Sequence, residues 1–239
     1  MSNKNRTVHI SPSMVCADFM HLDQEIGLFE KYHIPFLHID IMDGHYVPNF
    51  TLGSDFCARL VARTSIPLDI HLMIENVDTY APLFCSFGSP YVCFHPEVSY
   101  HPLRTIALIR SSGGKPGIAL DPATPIEQYK YLLPEVDLVC IMTVNPGYAG
   151  QTLIPSALDK IVELRTYLDR NGLSPLIEVD GNVSWKNIPP MVSAGAEILV
   201  AGTSSLFSKE GEREDNLKRI CRLASSYSQA QQDDSMDHA

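Results

Sequence analysis

Eight short runs of β-branched and apolar residues alternate with amphipathic stretches along the chain, and no other feature of the sequence restricts the fold as much. The runs are Val8 to Ser11, Phe36 to Met42, Leu68 to Met73, Tyr91 to His95, Gly117 to Leu120, Leu138 to Val144, Leu176 to Asp180 and Ile198 to Ala201. Between them apolar residues recur every three or four positions, as at Leu22, Ile26 and Phe29 and at Leu158, Ile161, Leu164 and Leu168. That is the spacing of helices with one buried face. Strands separated by helices can pair only in parallel, with the helices covering the sheet. Pro48, Gly53, Pro122, Pro125, Pro146, Gly147 and Pro155 punctuate the joins, so the crossovers are short and no linker divides the chain. Eight successive units predict a closed α/β barrel, the (β/α)8 or TIM barrel, over an open doubly wound sheet. The length of 239 residues suits that fold, which usually takes about 250. The expected organisation is one barrel over residues 1–224 and a mobile tail from Ser225 to Ala239, where Ser, Gln and Asp replace apolar residues.

A formal net charge of −10 without a Lys/Arg cluster argues against nucleic acid or an anionic membrane as partner. An anionic small molecule remains compatible, because backbone N–H groups bind phosphate without net positive charge. No run has transmembrane length, the polar start does not read as a signal peptide, and the six cysteines lack C-x-x-C spacing. A cytoplasmic protein with reduced thiols is expected. The sequence leaves open whether it forms a homo-oligomer.

Chemistry concentrates on three strands. His38, Asp40 and Met42 alternate with Ile39 and Ile41, Asp69, His71 and Met73 with Leu68, Ile70 and Leu72, and Glu178 and Asp180 occupy one face of the seventh run. Buried imidazoles and carboxylates are costly unless paired or metal-bound. In a closed barrel His38, Asp40, His71 and Asp180 converge at the C-terminal mouth, where such enzymes react, as a two-histidine, two-carboxylate metal set. Asp69 and Glu178 are candidate partners orienting those ligands. After the sixth run, Asn145-Pro146-Gly147-Tyr148-Ala149-Gly150-Gln151 can expose consecutive backbone N–H groups, as can Gly202-Thr203-Ser204-Ser205 after the eighth. These loops are the candidate phosphate site. Met42, Met73 and Met142 should reach the mouth or fill the core, and His95 and Glu97 should line the sugar site or cap a helix.

The motifs Ser11-Pro12-Ser13, His38-Ile39-Asp40-Ile41-Met42-Asp43-Gly44-His45, Asp69-Ile70-His71-Leu72-Met73, Asn145-Pro146-Gly147 and Glu178-Val179-Asp180-Gly181 resemble the ribulose-phosphate 3-epimerase family, in order and as far as about Phe207. The resemblance implies that His38, Asp40, His71 and Asp180 bind one divalent metal and that the two aspartates act as acid and base on opposite faces of a sugar phosphate. Ser13, His71, Asp180 and the stretch Gly147, Tyr148, Ala149, Gly150, Gly181, Asn182, Gly202 and Thr203 would hold substrate and phosphate, with the three methionines packed on the planar intermediate. Pro96, Ala149, Asn182 and Gly202-Thr203-Ser204-Ser205-Leu206-Phe207 depart from the usual pentulose pattern and look like the D-allulose-6-phosphate 3-epimerase branch.

Inverting C3 of a 2-ketose means removing a proton α to a carbonyl and returning one to the other face. A carboxylate with an ordinary pKa near 3.9 is a weak base for that task, so the enediolate must be stabilised. A metal ligating the C2 and C3 oxygens as a Lewis acid does this. Zn fits the His and carboxylate donors best, with Mn, Fe, Co and Mg as alternatives. The rivals are a decarboxylase or aldolase on the same fold, against which stands the lack of a lysine beside Asp40, and a catalytically silent phosphate-binding barrel.

Overall fold

The computed structural model describes residues 6–88 and 91–236. Strands β1 (His9–Pro12), β2 (Leu37–Asp43), β4 (Leu68–Met73), β5 (Tyr91–Phe94), β6 (Lys115–Leu120), β7 (Leu138–Met142), β8 (Leu176–Asp180) and β9 (Ile198–Ala201) correspond to the eight expected runs. Each pairs in parallel with its neighbours, in the order β1-β9-β8-β7-β6-β5-β4-β2. A parallel bridge between Ser13 and His38 joins the first strand to the second and closes the ring.

The strands form because their alternation satisfies two sides at once. Leu37, Ile39, Leu68, Ile70, Leu72, Ile177 and Val179 are buried against the helices. Each such side chain removed from water contributes about 1.5–3 kcal/mol. Inside the barrel, Cys93, Ala119, Leu138, Cys140 and Ile198 fill the centre, and Phe36, Tyr91 and Leu176 pack against them. The apolar filling leaves the carboxyl ends of β2, β4 and β8 as the place where polar side chains gather.

The covering helices are α1 (Leu22–Lys31), α2 (Ser54–Arg63), α3 (Val77–Cys85), α4 (Pro102–Ser111), α5 (Ser156–Asn171), α6 (Ile188–Ala194) and α7 (Arg213–Met236). Helix α5 buries Ile161, Leu164 and Leu168 of its sequence pattern together with Ala157, while Leu158 is partly buried. It stops where Gly172 takes a left-handed φ of 65° and its N–H bonds the Leu168 carbonyl.

Three features differ from expectation. The crossover from β6 to β7 has two 3-10 turns, Ile126–Tyr129 and Leu133–Glu135, where a helix was expected. A two-residue strand, β3 (Phe50–Thr51), pairs antiparallel with the end of β2, and the Thr51 hydroxyl donates to the Asp40 carbonyl at 2.6 Å. The expected boundary at Ser225 falls inside α7, whose backbone stays helical to Met236. Leu217, Ile220 and Ala224 anchor that helix to the core, so the polar residues beyond them continue a helix already begun. Residues 237–239 of the expected tail lie outside the described residues.

Candidate active site at the barrel mouth

Pairing of β2 with β4 sets Asp40 beside His71 and Met42 beside Met73, and pairing of β7 with β8 sets Met142 beside Asp180. Because side chains alternate along a strand, these residues share the interior face near the strand ends. His38, Asp40, His71 and Asp180 each offer one donor atom, and the four atoms lie within 4.8 Å of one another. His38 Nε2 is 3.3 Å from Asp40 Oδ1 and 4.0 Å from Asp180 Oδ2, while His71 Nδ1 is 3.4 Å and 3.8 Å from the same two oxygens. The two imidazoles are fully buried and the Asp180 side chain is 18% exposed. The set therefore opens to solvent on the Asp180 side.

These residues fit a divalent cation. His71 Nδ1 is buried and makes no hydrogen bond, although one oxygen of Asp40 and one of Asp180 lie within 4 Å of it. An orphaned buried nitrogen costs about 1–3 kcal/mol, which coordination would recover. Two carboxylates and two neutral imidazoles match the charge and donor preferences of such an ion. His38 engages Asp69 Oδ2 through Nδ1 at 2.8 Å, leaving Nε2 for the cluster, and the Ser11 hydroxyl donates to the same Asp69 oxygen at 3.0 Å. Asp69 thus orients His38, as its place on the strand predicted. Glu178 Oε2 lies 3.9 Å from His38 Nδ1, without a hydrogen bond.

The same environment separates the two aspartates. Burial alone would raise the Asp40 carboxyl, but the His38 charge and hydrogen bond, aided by His71, carry it well below the ordinary range. Asp180 goes the other way, to about 7, chiefly through burial and then through repulsion by the Asp40 charge. Burial opposes a proton on His38, yet Asp69 and Asp40 outweigh it and hold that proton well above the usual value. An imidazole ligates only through a deprotonated nitrogen, so a cation entering the cluster takes the place of the His38 proton on Nε2, whereas a carboxyl can carry a proton on an oxygen that is not a ligand. Near neutral pH without a cation, the pair comprises an ionised Asp40 and an Asp180 close to the midpoint of its titration. Environments that push two titratable groups apart assign a base and an acid.

A cleft of about 620 Å³, counted out to open solvent, lies over the cluster. Ser13, Asp40, Met42, Met73, Met142, Gly147, Tyr148, Ala149, Gly150, Asp180, Gly181, Asn182, Gly202 and Thr203 all line it. His38 and His71 do not reach the cleft wall and sit in the interior beneath it. The Ser13 hydroxyl donates to Asp40 Oδ2 at 3.1 Å. The loops over the cleft are tied together: Asn49 Nδ2 donates to the Gly147 carbonyl at 2.9 Å, and the Tyr148 hydroxyl donates to the Pro48 carbonyl at 2.9 Å. Asn182 is left-handed at φ 45° and its amide donates to the Gln151 carbonyl at 2.7 Å and to Ser204 Oγ at 3.3 Å. Asparagine tolerates that conformation, and its side chain ties together the three loops that form one wall.

Gly181 has φ +109°, and a Cβ there would come within 2.6 Å of Val144 Cγ2 and 3.0 Å of the Val144 backbone nitrogen. Gly181→Ala should therefore lower unfolding free energy by about 2–3 kcal/mol, read by urea denaturation. A loss under 0.5 kcal/mol would show that the turn relaxes around the methyl group.

His95 and Glu97 neither line the cleft nor cap a helix through a side chain. His95 is buried behind His71, with 2.9 Å between their Nε2 atoms, and Tyr46 donates to Glu97 Oε1 at 2.9 Å. Asp121 joins this group, its Oδ1 lying 3.1 Å from His95 Nδ1. Sequence reasoning missed Tyr46, Asp121 and Thr51, because Tyr46 and Asp121 stand past strand ends and Thr51 lies in a strand of two residues, so none has a periodic partner to mark it.

A polar cluster of this kind at the carboxyl ends of eight parallel strands occupies the position where barrel enzymes carry out their chemistry. The segment from residue 9 to 207 matches the Ribulose-phosphate 3 epimerase family, and the chain belongs to that family. It is thus an epimerase, an enzyme of the isomerase class. Ribulose-phosphate 3-epimerase 1 of Cupriavidus necator is 43% identical over 203 residues, covering 83% of this chain and 84% of the relative. The ribulose-phosphate 3-epimerase of Bacillus subtilis is 43% identical, over 82% and 91% of the two chains, and that of Escherichia coli 39%, over 84% and 89%. Among solved structures, a mutant tryptophan synthase α-subunit from Pyrococcus furiosus superposes with a TM-score of 0.65 at 14% identity, covering 92% of this chain and 99% of that one. That likeness concerns the fold alone. No helix among the described residues is long and apolar enough to cross a membrane.

Proposed function

We propose that the protein inverts C3 of a 2-ketose phosphate by a two-aspartate mechanism, carried by one observation: Asp40 and Asp180 share one buried cluster with opposite proton affinities. Asp40 takes the C3 proton from one face of the sugar, and Asp180 delivers its proton to the other face of the same carbon. In the reverse direction the roles exchange, so one proton leaves and one returns in every turnover. A divalent cation held by His38, Asp40, His71 and Asp180, with Zn favoured over Mn, Fe, Co and Mg, supplies Lewis-acid stabilisation of the negative charge that develops on the sugar oxygens. Ser13, by its hydrogen bond to Asp40 Oδ2, keeps that carboxylate oriented toward the cleft. Met42, Met73 and Met142 present a polarisable apolar wall to a planar carbon centre and keep water from it. The backbone around Gly147, Tyr148, Ala149 and Gly150, together with Gly181, Asn182, Gly202 and Thr203, receives the phosphate.

For the sugar, the reading is a hexulose, D-allulose 6-phosphate interconverted with D-fructose 6-phosphate. Ala149, Asn182, Gly202, Thr203 and Ser204 all belong to departures from the pentulose pattern and all line the cleft, while the four cluster residues keep the family pattern. Of the departures, Pro96, Ser205, Leu206 and Phe207 lie off the cleft, and the variation concentrated on the cleft wall is what a changed substrate tail needs. The second reading, D-ribulose 5-phosphate interconverted with D-xylulose 5-phosphate, is favoured by the names of the relatives at 39–43% identity. Side-by-side epimerisation rates on the two ketose phosphates, each with and without a chelator, separate them. Chelator-sensitive preference for the hexulose phosphate is expected. Preference for the pentulose phosphate would assign the second reading, and turnover of neither after metal reconstitution would refute the mechanism.

A further inference from the structure

We infer that His95, held by Asp121, Glu97 and Tyr46, is a positioning residue that fixes the tautomer of His71 so that the His71 Nδ1 lone pair faces the cation cluster. The inference rests on the metal reading of that cluster.

For Nδ1 of His71 to act as a ligand, the ring must carry its proton on Nε2. That atom lies 2.9 Å from Nε2 of His95, and the two rings stack with centroids 5.0 Å apart. Two imidazole nitrogens at this distance share one proton, so if His71 donates, His95 must accept. The proton of His95 then belongs on its Nδ1, which lies 3.1 Å from Asp121 Oδ1 and 3.6 Å from Glu97 Oε1. Neither oxygen is aligned for a full hydrogen bond with Nδ1. Two carboxylates that accept and never donate nevertheless place a hydrogen there by electrostatics. Tyr46 stabilises both carboxylates, with its hydroxyl 2.9 Å from Glu97 Oε1 and 3.4 Å from Asp121 Oδ2. Every donor and acceptor is then assigned: His71 donates to His95, His95 donates toward the carboxylates, and Tyr46 donates to the same carboxylates from the other side. His38 receives the equivalent service from Asp69 directly, whereas His71 is reached only through a second imidazole. Partners that orient metal-bound histidines are worth about 10–100-fold in metal affinity.

The test uses the full-length protein with Zn2+ as the probe, titrated against a chromophoric chelator, and histidine tautomers read by long-range 1H–15N correlation. In the Zn-loaded wild type, the inference requires the Nε2–H tautomer for His71 and the Nδ1–H tautomer for His95. A proton on His95 Nε2 would overturn it. His95→Phe keeps a buried ring but removes the acceptor, and Zn2+ affinity should fall about 10–100-fold. His95→Gln, which restores an acceptor oxygen, should recover most of the loss. Asp121→Asn, on a different strand end, should weaken affinity in the same direction and serves if His95→Phe does not fold. Unchanged affinity in folded His95→Phe, or in Asp121→Asn, would refute the role of His95 while leaving the metal reading intact. Binding of a second Zn2+ by the wild type, lost on Asp121→Asn, would also refute it, because the His95, Glu97 and Asp121 group would then be a cation site itself. Failure of the wild type to bind any Zn2+ would instead remove the metal reading on which the inference rests.

Discussion

Asp40→Asn is expected to lower kcat by about 10³-fold or more at saturating metal, with the barrel intact by circular dichroism. The amide cannot accept the C3 proton, and one of the two negative charges that balance a cation is lost. The substitution also leaves a buried His38 facing an amide where a carboxylate had been 3.3 Å away. Breaking a buried charge pair by removing one partner costs about 3–5 kcal/mol, so the variant should be less stable near neutral pH. The sign follows from linkage: the Asp40 carboxyl is lowered in the folded state, so its contribution is present above pH 3.8 and is lost as pH falls through the folded value. Full turnover of Asp40→Asn with metal still bound would eliminate Asp40 as the base.

Asp180→Asn should give a comparable loss of activity with the opposite effect on the stability of the metal-free protein. Here the carboxyl rises from 3.8 to about 7 on folding, by burial first and by the Asp40 charge second. A carboxyl whose folded pKa is raised favours folding fully only below the unfolded value, and the stability is lost as pH climbs through the folded one. Ionising Asp180 therefore costs the folded protein up to about 4 kcal/mol once the pH exceeds about 7. Asparagine avoids that cost. Urea denaturation of metal-free samples should find Asp180→Asn more stable than the wild type above pH 7, the difference vanishing toward pH 4. Equal stabilities across that range would mean that Asp180 is ordinarily ionised in the folded state, and its assignment as the acid would fail. Catalytic carboxylates commonly reduce stability for the sake of function, and the contrast between the two aspartates makes that trade measurable within one site.

The sequence displayed its strands clearly because β2, β4 and β8 carry polar residues on one face and Ile, Leu or Val on the other. The same alternation exposed His38, Asp40, His71 and Asp180. Closure was less visible. It depends on the bridge between Ser13 and His38, which joins residues far apart in sequence and has no local signature. Strand β3 escaped notice because two residues hold no period. The end of α7 escaped because its last turns are polar, and a helix anchored through Leu217, Ile220 and Ala224 needs no further apolar face to continue. The group behind His71 was hidden for a third reason. His95 was noticed, yet its partners Tyr46 and Asp121 follow two other strands, and only the register of the closed barrel brings the three together. Residues that touch the reacting centre had to lie on strands with a period. Residues that orient them did not.

The central claim is that a proton leaves C3 to one aspartate and another returns from the second. The most direct test runs the reaction in D2O and follows C3 of the ketose phosphate by 1H NMR, with and without a chelator. The account predicts that the epimerised product carries deuterium at C3 at the rate of turnover, because Asp180 equilibrates with solvent through its exposed side, and that chelation stops both processes together. Epimerised product that retains its original C3 hydrogen would contradict the account, since no proton would then have passed through the two aspartates.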